Sequence, residues 1–266
     1  MTLIVGILCK DGVVVASDSA ATFAATGRPT IGQQAIQKII RVNEHVLFAS
    51  TGAVGIGQVL ADHMATLWKA NQLGGQRTPP QVMNHLGQEI NKVVFPYLQS
   101  AQMQHKLVGE AGQSLCKSLV AMPVGREACL FNFDFNGAPE QSTKDIPFIA
   151  LGSGQPIADP FLAFLKRVLW PSREPTLAEG RLAAIWTINH VTRTNPGGVG
   201  GNIQLATLSS VVGGELAVQV ATQEEITEHL QRVDTAEKAL VKELEGSPSS
   251  AAATVPVPHG ANGPNN

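Results

Sequence analysis

The sequence has few charged residues and almost no excess of either sign. Charged residues make up 15% of its 266 residues, and the formal net charge is −2. Nucleic acids and anionic membranes attract clustered Lys and Arg, so this composition predicts neither as a partner. The hydrophobic fraction of 44% is instead typical of a chain that buries a sizeable core.

Cysteine is scarce and has no spacing that would indicate a metal site or a disulfide framework. Cys9, Cys116 and Cys129 lie far apart, each in a segment predicted to be a strand. Small buried thiols are the expected interpretation, and an odd number without a pattern fits a reducing compartment. The seven histidines form no HExxH motif and no i, i+4 pair. We therefore predict no zinc site and no cofactor.

Long apolar runs are also missing. No stretch approaches the ~20 apolar residues that a membrane span needs. The N-terminal apolar run ends at Lys10 and Asp11, and it lacks the basic start and the small-residue cleavage site of a signal peptide. We therefore expect a soluble, cytoplasmic protein that keeps its own N-terminus apart from Met1.

The first residues predict a β-hairpin. Apolar runs at 3–9 and 13–16 flank Asp11-Gly12, a dipeptide that favours the positive φ angles of a tight turn. The first strand is expected to begin at Thr2. Both runs are continuously apolar, which predicts strands covered on both faces. Residues 17–37 are rich in small polar residues and predict a loop or an irregular hairpin.

Blocks of strands alternate with pairs of helices along the rest of the chain. Strands are expected at 38–42, 45–50, 118–123, 128–134, 146–151, 202–212 and 215–221, and helices after Gly52, at 80–104, 156–169, 175–194 and 223–245. This order predicts an α+β fold, a four-layer αββα sandwich of two antiparallel sheets flanked by helices. Residues 2–245 are predicted to form one domain, and the Pro-, Ser-, Ala- and Gly-rich tail 246–266 is predicted to be disordered.

Thr2 is a candidate nucleophile because of its position. A threonine hydroxyl needs a base, and the α-amine of an N-terminal threonine, with an ordinary pKa of about 8, can serve. Initiator methionine is generally removed before a small residue such as threonine. Many chains begin Met-Thr, so the dipeptide alone says little. Its place at the start of a buried strand is what makes Thr2 notable.

Four segments resemble proteasome β subunits, in the same order along the chain. They are Thr2 to Ser19 with its Asp-Gly turn and Ala-Ser-Asp-Ser ending, Lys38-Ile-Ile-Arg-Val, Thr51-Gly52, and Gly152-Ser153-Gly154. The chain is thus identified as a member of the proteasome-type N-terminal-nucleophile hydrolases from residue 2 to about 222. The Asn195-Pro-Gly-Gly loop is most similar to bacterial homologues, nearest the betaproteobacterial proteasome homologue. The short N-terminus resembles HslV and Anbu.

The resemblance implies a role for each matched residue. The implied catalytic set is Thr2 as nucleophile, Lys38 beside its hydroxyl, Asp18 as the partner of Lys38, Ser153 in the proton network, and the Gly52 backbone N–H as oxyanion hole. The implied substrate-binding set is Thr22, which would align a peptide as an added strand, with Ser50 and Val54 lining a small to medium apolar pocket. No metal takes part.

The loop before the late strands departs from the family pattern. Proteasome β subunits carry an Asp and a Ser there, and both support the N-terminus. This chain has Asn195 as the nearest polar residue, followed by a glycine-rich run. An amide forms hydrogen bonds but carries no charge, so we expect the pKa of the Thr2 amine to be set differently.

Three functions are compatible with these features. The first is a threonine endopeptidase whose subunits form a homo-oligomeric ring, which the resemblance implies to be heptameric and stacked in pairs. Such a ring would take unfolded polypeptides, with an ATP-dependent unfoldase as a candidate partner. The second is an N-terminal-nucleophile amidohydrolase for small amides. The third is a non-catalytic ring scaffold like proteasome α subunits, which carry an N-terminal extension in place of an exposed threonine.

Overall fold

The computed structural model describes residues 2–25, 28–73, 77–108, 116–195, 198–211 and 213–246. Side chains are described for these residues except 22–25, 28–33, 104–105, 107–108 and 246. From residue 247 onward the predicted tail lies outside the described residues, so its disorder stays a prediction. The division into a domain at 2–245 and a tail also stays a prediction.

Twelve strands and five helices follow one another in blocks along the described chain. They are β1 (Ile4–Cys9), β2 (Gly12–Ser17), β3 (Ala20–Ala25), β4 (Arg28–Ala35), β5 (Ile39–Arg41), β6 (Leu47–Gly52), α1 (Val54–Lys69), α2 (Pro79–Val108), β7 (Cys116–Val124), β8 (Glu127–Phe133), β9 (Pro139–Gln141), β10 (Phe148–Leu151), α3 (Gln155–Leu169), α4 (Leu177–Thr194), β11 (Gln204–Ser210), β12 (Leu216–Val220) and α5 (Gln223–Gly246).

The strands form two five-stranded antiparallel sheets and a separate hairpin. The first sheet has the order β10-β1-β2-β11-β12, and the second has the order β5-β6-β7-β8-β9. Strands β3 and β4 pair only with each other. Helices α3 and α4 contact the first sheet, α5 packs on α4, and α1 and α2 contact the second sheet. The predicted α+β sandwich with helices outside is thereby confirmed.

Three buried apolar layers hold these elements together. Residues of β1 divide between two of them, because successive side chains of a strand point to opposite faces. Val5 and Ile7 belong to the layer under α3 and α4, whereas Ile4 belongs to the layer between the sheets with Leu119 and Leu130. The third layer lies between the second sheet and helices α1 and α2. This explains why β1 is apolar at almost every position.

The structure corrects the predicted start of the first strand. The ladder of β1 begins at Ile4 and not at Thr2. The cause is local, because the Leu3 N–H donates to the Asp18 carboxylate (2.9 Å), so it is not available to a neighbouring strand. Thr2 and Leu3 are therefore held by side chains and loops, which places the N-terminus beyond the sheet.

Other boundaries also differ from the prediction. Residues 20–35 form an irregular hairpin, with register shifts next to Phe23. Helix α2 runs four residues past the predicted end at 104, and the short strand β9 was not predicted. The turn at Gly213-Gly214 has φ angles of 106° and 81°, conformations that glycine adopts readily.

Gly6 marks the closest approach of the two sheets at β1. A Cβ built on Gly6 would lie 2.7 Å from Cδ1 of Leu119 and 3.0 Å from Cδ2 of Leu130, which are buried side chains of the opposite sheet. A side chain at this position has to push the sheets apart or force the leucines out of their rotamers. Glycine is therefore required by packing and not by backbone conformation.

We expect Gly6→Val to destabilise the protein by about 1–3 kcal/mol, the usual penalty for overpacking a core. Chemical denaturation at one fixed protein concentration would measure the change. Gly55→Ala is the matched control, because nothing lies within 4 Å of a Cβ built on this α1 residue. Gly55 is the second residue of α1, where the preference for alanine is weaker than in the middle of a helix, so this control should be neutral or slightly stabilising. Equal stability of Gly6→Val and the wild type would contradict the packing argument.

Candidate active site

The chain around Thr2 is held by the turn between β10 and α3. The backbone N–H of Thr2 donates to Ser153 Oγ (3.1 Å), and the Thr2 carbonyl accepts from the Gly154 N–H (3.2 Å). A Cβ on Gly152 would lie 2.2 Å from the Thr2 carbonyl oxygen, and Gly152 has a φ of 101°. Only glycine allows this approach. The predicted Gly-Ser-Gly motif thus contacts Thr2 directly.

Asp18 and Lys38 form a buried ion pair next to this N-terminus. Lys38 Nζ lies 2.7 Å from Asp18 Oδ1, and the two side chains are 3% and 1% exposed. Asp18 also accepts from the Leu3 N–H at Oδ1 and from the Gly200 N–H (3.1 Å) at Oδ2. Lys38 donates a further bond to the Ala20 carbonyl (2.7 Å). The pair therefore joins the N-terminus, the end of β2 and the residues before β5.

Burial and the Asp18 carboxylate act on the pKa of Lys38 in opposite directions. Removal from water disfavours the ammonium form and lowers the pKa of Lys38, although the hydrogen bond and charge of Asp18 oppose this shift. The ammonium group of a lysine with a lowered pKa gives up its proton more readily than that of an exposed lysine. It can hold positive charge near the N-terminus while remaining able to exchange its proton.

One cleft brings Thr2, Lys38 and Gly52 together. It measures about 340 Å³, and its lining includes Ser50, Thr51 and the first turn of α1. Gly52 has a φ of 107°, which only glycine adopts without strain, and it turns the chain from β6 into α1. Three of the residues predicted to be catalytic and both residues predicted to line the pocket, Ser50 and Val54, thus border the same space.

Ser50 lies against the backbone of α1. A Cβ on Gly57 would be 2.3 Å from Ser50 Oγ, so glycine at 57 leaves the room that the Ser50 side chain occupies. Val54, at the start of α1, is 49% exposed and faces the cleft. Thr22 lies in β3, where it pairs with Gln33, and its side chain is outside the described residues. The substrate-binding role of these residues stays a prediction.

The loop after α4 reaches the site through the backbone of Gly200. Asn195 ends α4, and its N–H donates to the Val191 carbonyl (2.8 Å). The group that contacts Asp18 is the Gly200 N–H. A Cβ on Gly201 would lie 2.5 Å from Ser19 Oγ, so this loop packs tightly on the end of β2. The role of Asn195 stays a prediction.

Gly57 and Gly200 are the site residues that the sequence did not identify. Gly200 acts through its backbone N–H on Asp18, 182 residues away, and Gly57 acts through the absence of a side chain beside the nearby Ser50. The glycine-rich run at 197–201 was the available signal for Gly200, because repeated glycine indicates close approach of backbone to another group. The sequence did not say which group that would be.

Cys116 lies close to the cleft, because it pairs with Gly52 in the second sheet and its thiol interacts with the Ser50 side chain. Among the described residues, no group of three or more His, Cys, Asp and Glu side chains could hold a metal ion. The three cysteines are buried and unbridged. Burial raises the pKa of Cys116 to about 11 and that of Cys129 to about 12, so both stay protonated at neutral pH. Within the same described part, no helix is long and apolar enough to cross a bilayer.

A family model described as "Proteasome subunit" matches residues 2–207. The chain belongs to the proteasome subunit family. This confirms the resemblance that the four sequence segments indicated. The matched range contains every residue of the predicted catalytic and substrate-binding sets.

Relatives of both subunit types are similar to this chain. A proteasome subunit alpha of Methanococcus maripaludis is 24% identical over 197 residues, which are 72% of this chain and 64% of that protein. A proteasome subunit beta of Archaeoglobus profundus is 29% identical over 160 residues, 59% of this chain and 63% of that protein. The chain thus spans less than two thirds of the length of either relative.

A solved structure shares the fold. Anbu (ancestral beta-subunit) from Yersinia bercovieri superposes with a TM-score of 0.61 and 18% identity, covering 92% of this chain and 98% of that one. At this identity the likeness establishes the fold alone. The α+β sandwich of two antiparallel sheets with helices outside therefore belongs to a known architecture.

We expect Asp18→Asn to destabilise the protein by about 3–5 kcal/mol, because it removes the carboxylate charge that faces the buried Lys38. Asp234→Asn is the matched control. Asp234 lies 2.6 Å from Lys238 in α5, but both side chains are more than half exposed. That change should cost less than about 1 kcal/mol. Denaturant unfolding measures both, and equal losses would show that burial does not set the strength of the pair.

The lowered pKa of Lys38 predicts a distinctive pH dependence. Between the lowered pKa of folded Lys38 and its ordinary value of 10.5, the unfolded chain binds more protons than the native one. The contribution of Lys38 to native stability therefore increases as the pH rises through this window. We expect the stability of the wild type minus that of Lys38→Met to increase from neutral pH to pH 10.5.

The comparison with Lys38→Met cancels the titrations of groups that do not contact Lys38. The buried cysteines, whose pKa values are raised, titrate equally in both proteins. Thermal or denaturant unfolding at several pH values gives the difference. A stability difference that is flat or falls with pH would mean that burial does not dominate the pKa of Lys38.

Proposed function

We propose that the chain is a threonine-type peptidase of the N-terminal-nucleophile class, with Thr2 as nucleophile after removal of Met1. The observation that carries the proposal is the shared cleft of Thr2, Lys38 and Gly52, with the Asp18–Lys38 pair buried beside it. A scaffold needs neither a buried lysine beside its N-terminus nor an open cleft at that point. The match to the proteasome subunit family model also supports a threonine peptidase.

The proposed reaction begins at the Thr2 hydroxyl. Its Oγ attacks the carbonyl carbon of a peptide bond, and its proton passes to the free α-amine of the same residue. Ser153, which already accepts from the Thr2 nitrogen, would hold this amine in place. The positive charge of Lys38 would favour the deprotonated oxygen and the neutral amine.

The tetrahedral intermediate needs a donor for its developing negative charge. The Gly52 backbone N–H is proposed for this role, with the N-terminus of α1, which borders the same cleft, adding favourable electrostatics. The peptide C–N bond then breaks, the leaving amine takes the proton from the Thr2 amine, and an ester remains on Oγ. Water attacks this ester and releases the second product.

The substrate is proposed to be an extended polypeptide. Strands β3 and β4 form a hairpin that pairs with neither sheet, and Thr22 lies on it, so a peptide could add alongside. Ser50 and Val54 would receive a small to medium apolar side chain. A homo-oligomeric ring, heptameric and stacked in pairs, would restrict entry to unfolded chains. An ATP-dependent unfoldase partner and a cytoplasmic location belong to the same proposal.

A small-amide hydrolase is the alternative that shares the nucleophile. It would act as a monomer or dimer, so native mass spectrometry distinguishes the two. A non-catalytic scaffold is a second alternative, because proteasome alpha subunits are among the similar proteins. A scaffold would retain Met1 or leave Thr2 unreactive.

The test is covalent labelling by a peptide epoxyketone, which requires both a hydroxyl and a free amine on one residue. We expect the intact mass of the purified protein to lack Met1 and to increase by one probe per chain after labelling. Thr2→Ala should abolish the adduct, whereas Thr51→Ala, a change in the same cleft, should leave it. A chain that retains Met1 and stays unlabelled would falsify the proposed mechanism.

A further inference from the structure

The side chain of Gln204 connects the first sheet to the segment that carries Lys38. Gln204 is the first residue of β11 and pairs with Ser17 of β2. Its Oε1 accepts from the N–H of Lys38 (2.9 Å) and from the N–H of Ile39 (3.3 Å). Its Nε2 donates to the Ile36 carbonyl (2.6 Å). One amide thus binds three backbone groups of residues 36–39.

Two of these backbone groups, the Ile36 carbonyl and the Lys38 N–H, belong to residues outside any strand, whereas Ile39 is the first residue of β5. Residues 36–38 lie between β4 and β5 and belong to no ladder. Backbone donors and acceptors outside a ladder need another partner when water is excluded. The Gln side chain offers an acceptor oxygen and a donor nitrogen in one plane, as a neighbouring strand would. It therefore holds the backbone from which the Lys38 side chain extends to Asp18.

Gln204 itself lies outside the cleft of Thr2. Ile36, Lys38 and Ile40 line that cleft, whereas Ile39 and Arg41 line a neighbouring groove of about 230 Å³ together with Gln204, and Gln37 borders both spaces. Apart from Gln37, the segment thus presents alternate residues to the two spaces. A substrate bound in the cleft would not touch Gln204, so any effect of Gln204 on the reaction has to pass through the Lys38 segment.

We propose that Gln204 is a positioning residue for the reaction, which places the Lys38 ammonium at Thr2 by fixing the backbone of residues 36–39. This inference rests on the proposed function. The segment 200–204 would then hold both residues of the ion pair. Gly200 binds the carboxylate of Asp18, and Gln204 binds the backbone of Lys38.

The test measures the rate of labelling by the peptide epoxyketone in the full chain. Gln204→Leu removes the acceptor and the donor, and we expect the maximal labelling rate to fall roughly 100-fold, the effect of a displacement near 1 Å. The probe concentration for half-maximal rate should change little. The pH midpoint of labelling should move upward, because a displaced cation no longer favours the neutral amine of Thr2.

The matched control is Gln219→Leu on the neighbouring strand β12, where the side chain is exposed. It should label like the wild type. Gln204→Asn, whose amide is one methylene too short, replaces the Leu variant in the comparison if that variant does not fold.

The outcomes separate the two proposals. An unlabelled wild type overturns the proposed function and this inference together. A labelled wild type with a folded Gln204→Leu variant of the same rate and pH midpoint overturns the inference alone. So does a loss that appears entirely in the probe concentration for half-maximal rate.

Discussion

The buried ion pair between Asp18 and Lys38 is the interaction on which the site depends. Two charges out of water are stable only when each has close partners. Asp18 has the Lys38 ammonium and the backbone N–H groups of Leu3 and Gly200, and Lys38 also donates to the Ala20 carbonyl. These partners come from four separate segments of the chain, which therefore meet at one point. Thr2 lies where they meet.

This requirement also explains the irregular backbone around the site. β1 begins two residues late because Leu3 is bound to a carboxylate, and the residues before β5 lie outside a ladder because Lys38 turns toward Asp18. The glycines at 152 and 201 allow the close approaches that follow. In a regular strand the backbone N–H and C=O groups bond to the neighbouring strand. Those groups would then not be available to bind Asp18, Lys38 or the N-terminus.

Much of the architecture was predictable from local pattern. Asp11-Gly12 and Gly213-Gly214 indicated their turns, and apolar periodicity located the helices, because these signals act within a few residues. Strand β9 has only three residues, too few for any periodicity. The contacts of Gly200 and Gln204 were not predictable for a different reason. A backbone N–H has no sequence signature, and a glutamine at the start of a strand is ordinarily a solvated residue. Their partners are set by tertiary packing alone.

The contacts that surround Thr2 join residues very far apart in the chain. Ser153 is 151 residues from Thr2, Gly200 is 182 from Asp18, and Gln204 is 166 from Lys38. Contacts of such sequence separation form late, because the chain must first close long loops. During synthesis, Thr2 leaves the ribosome long before residue 204 exists. A nascent or partly folded chain therefore carries the threonine without its surroundings, so the proposed activity would arise only in subunits that have already completed folding.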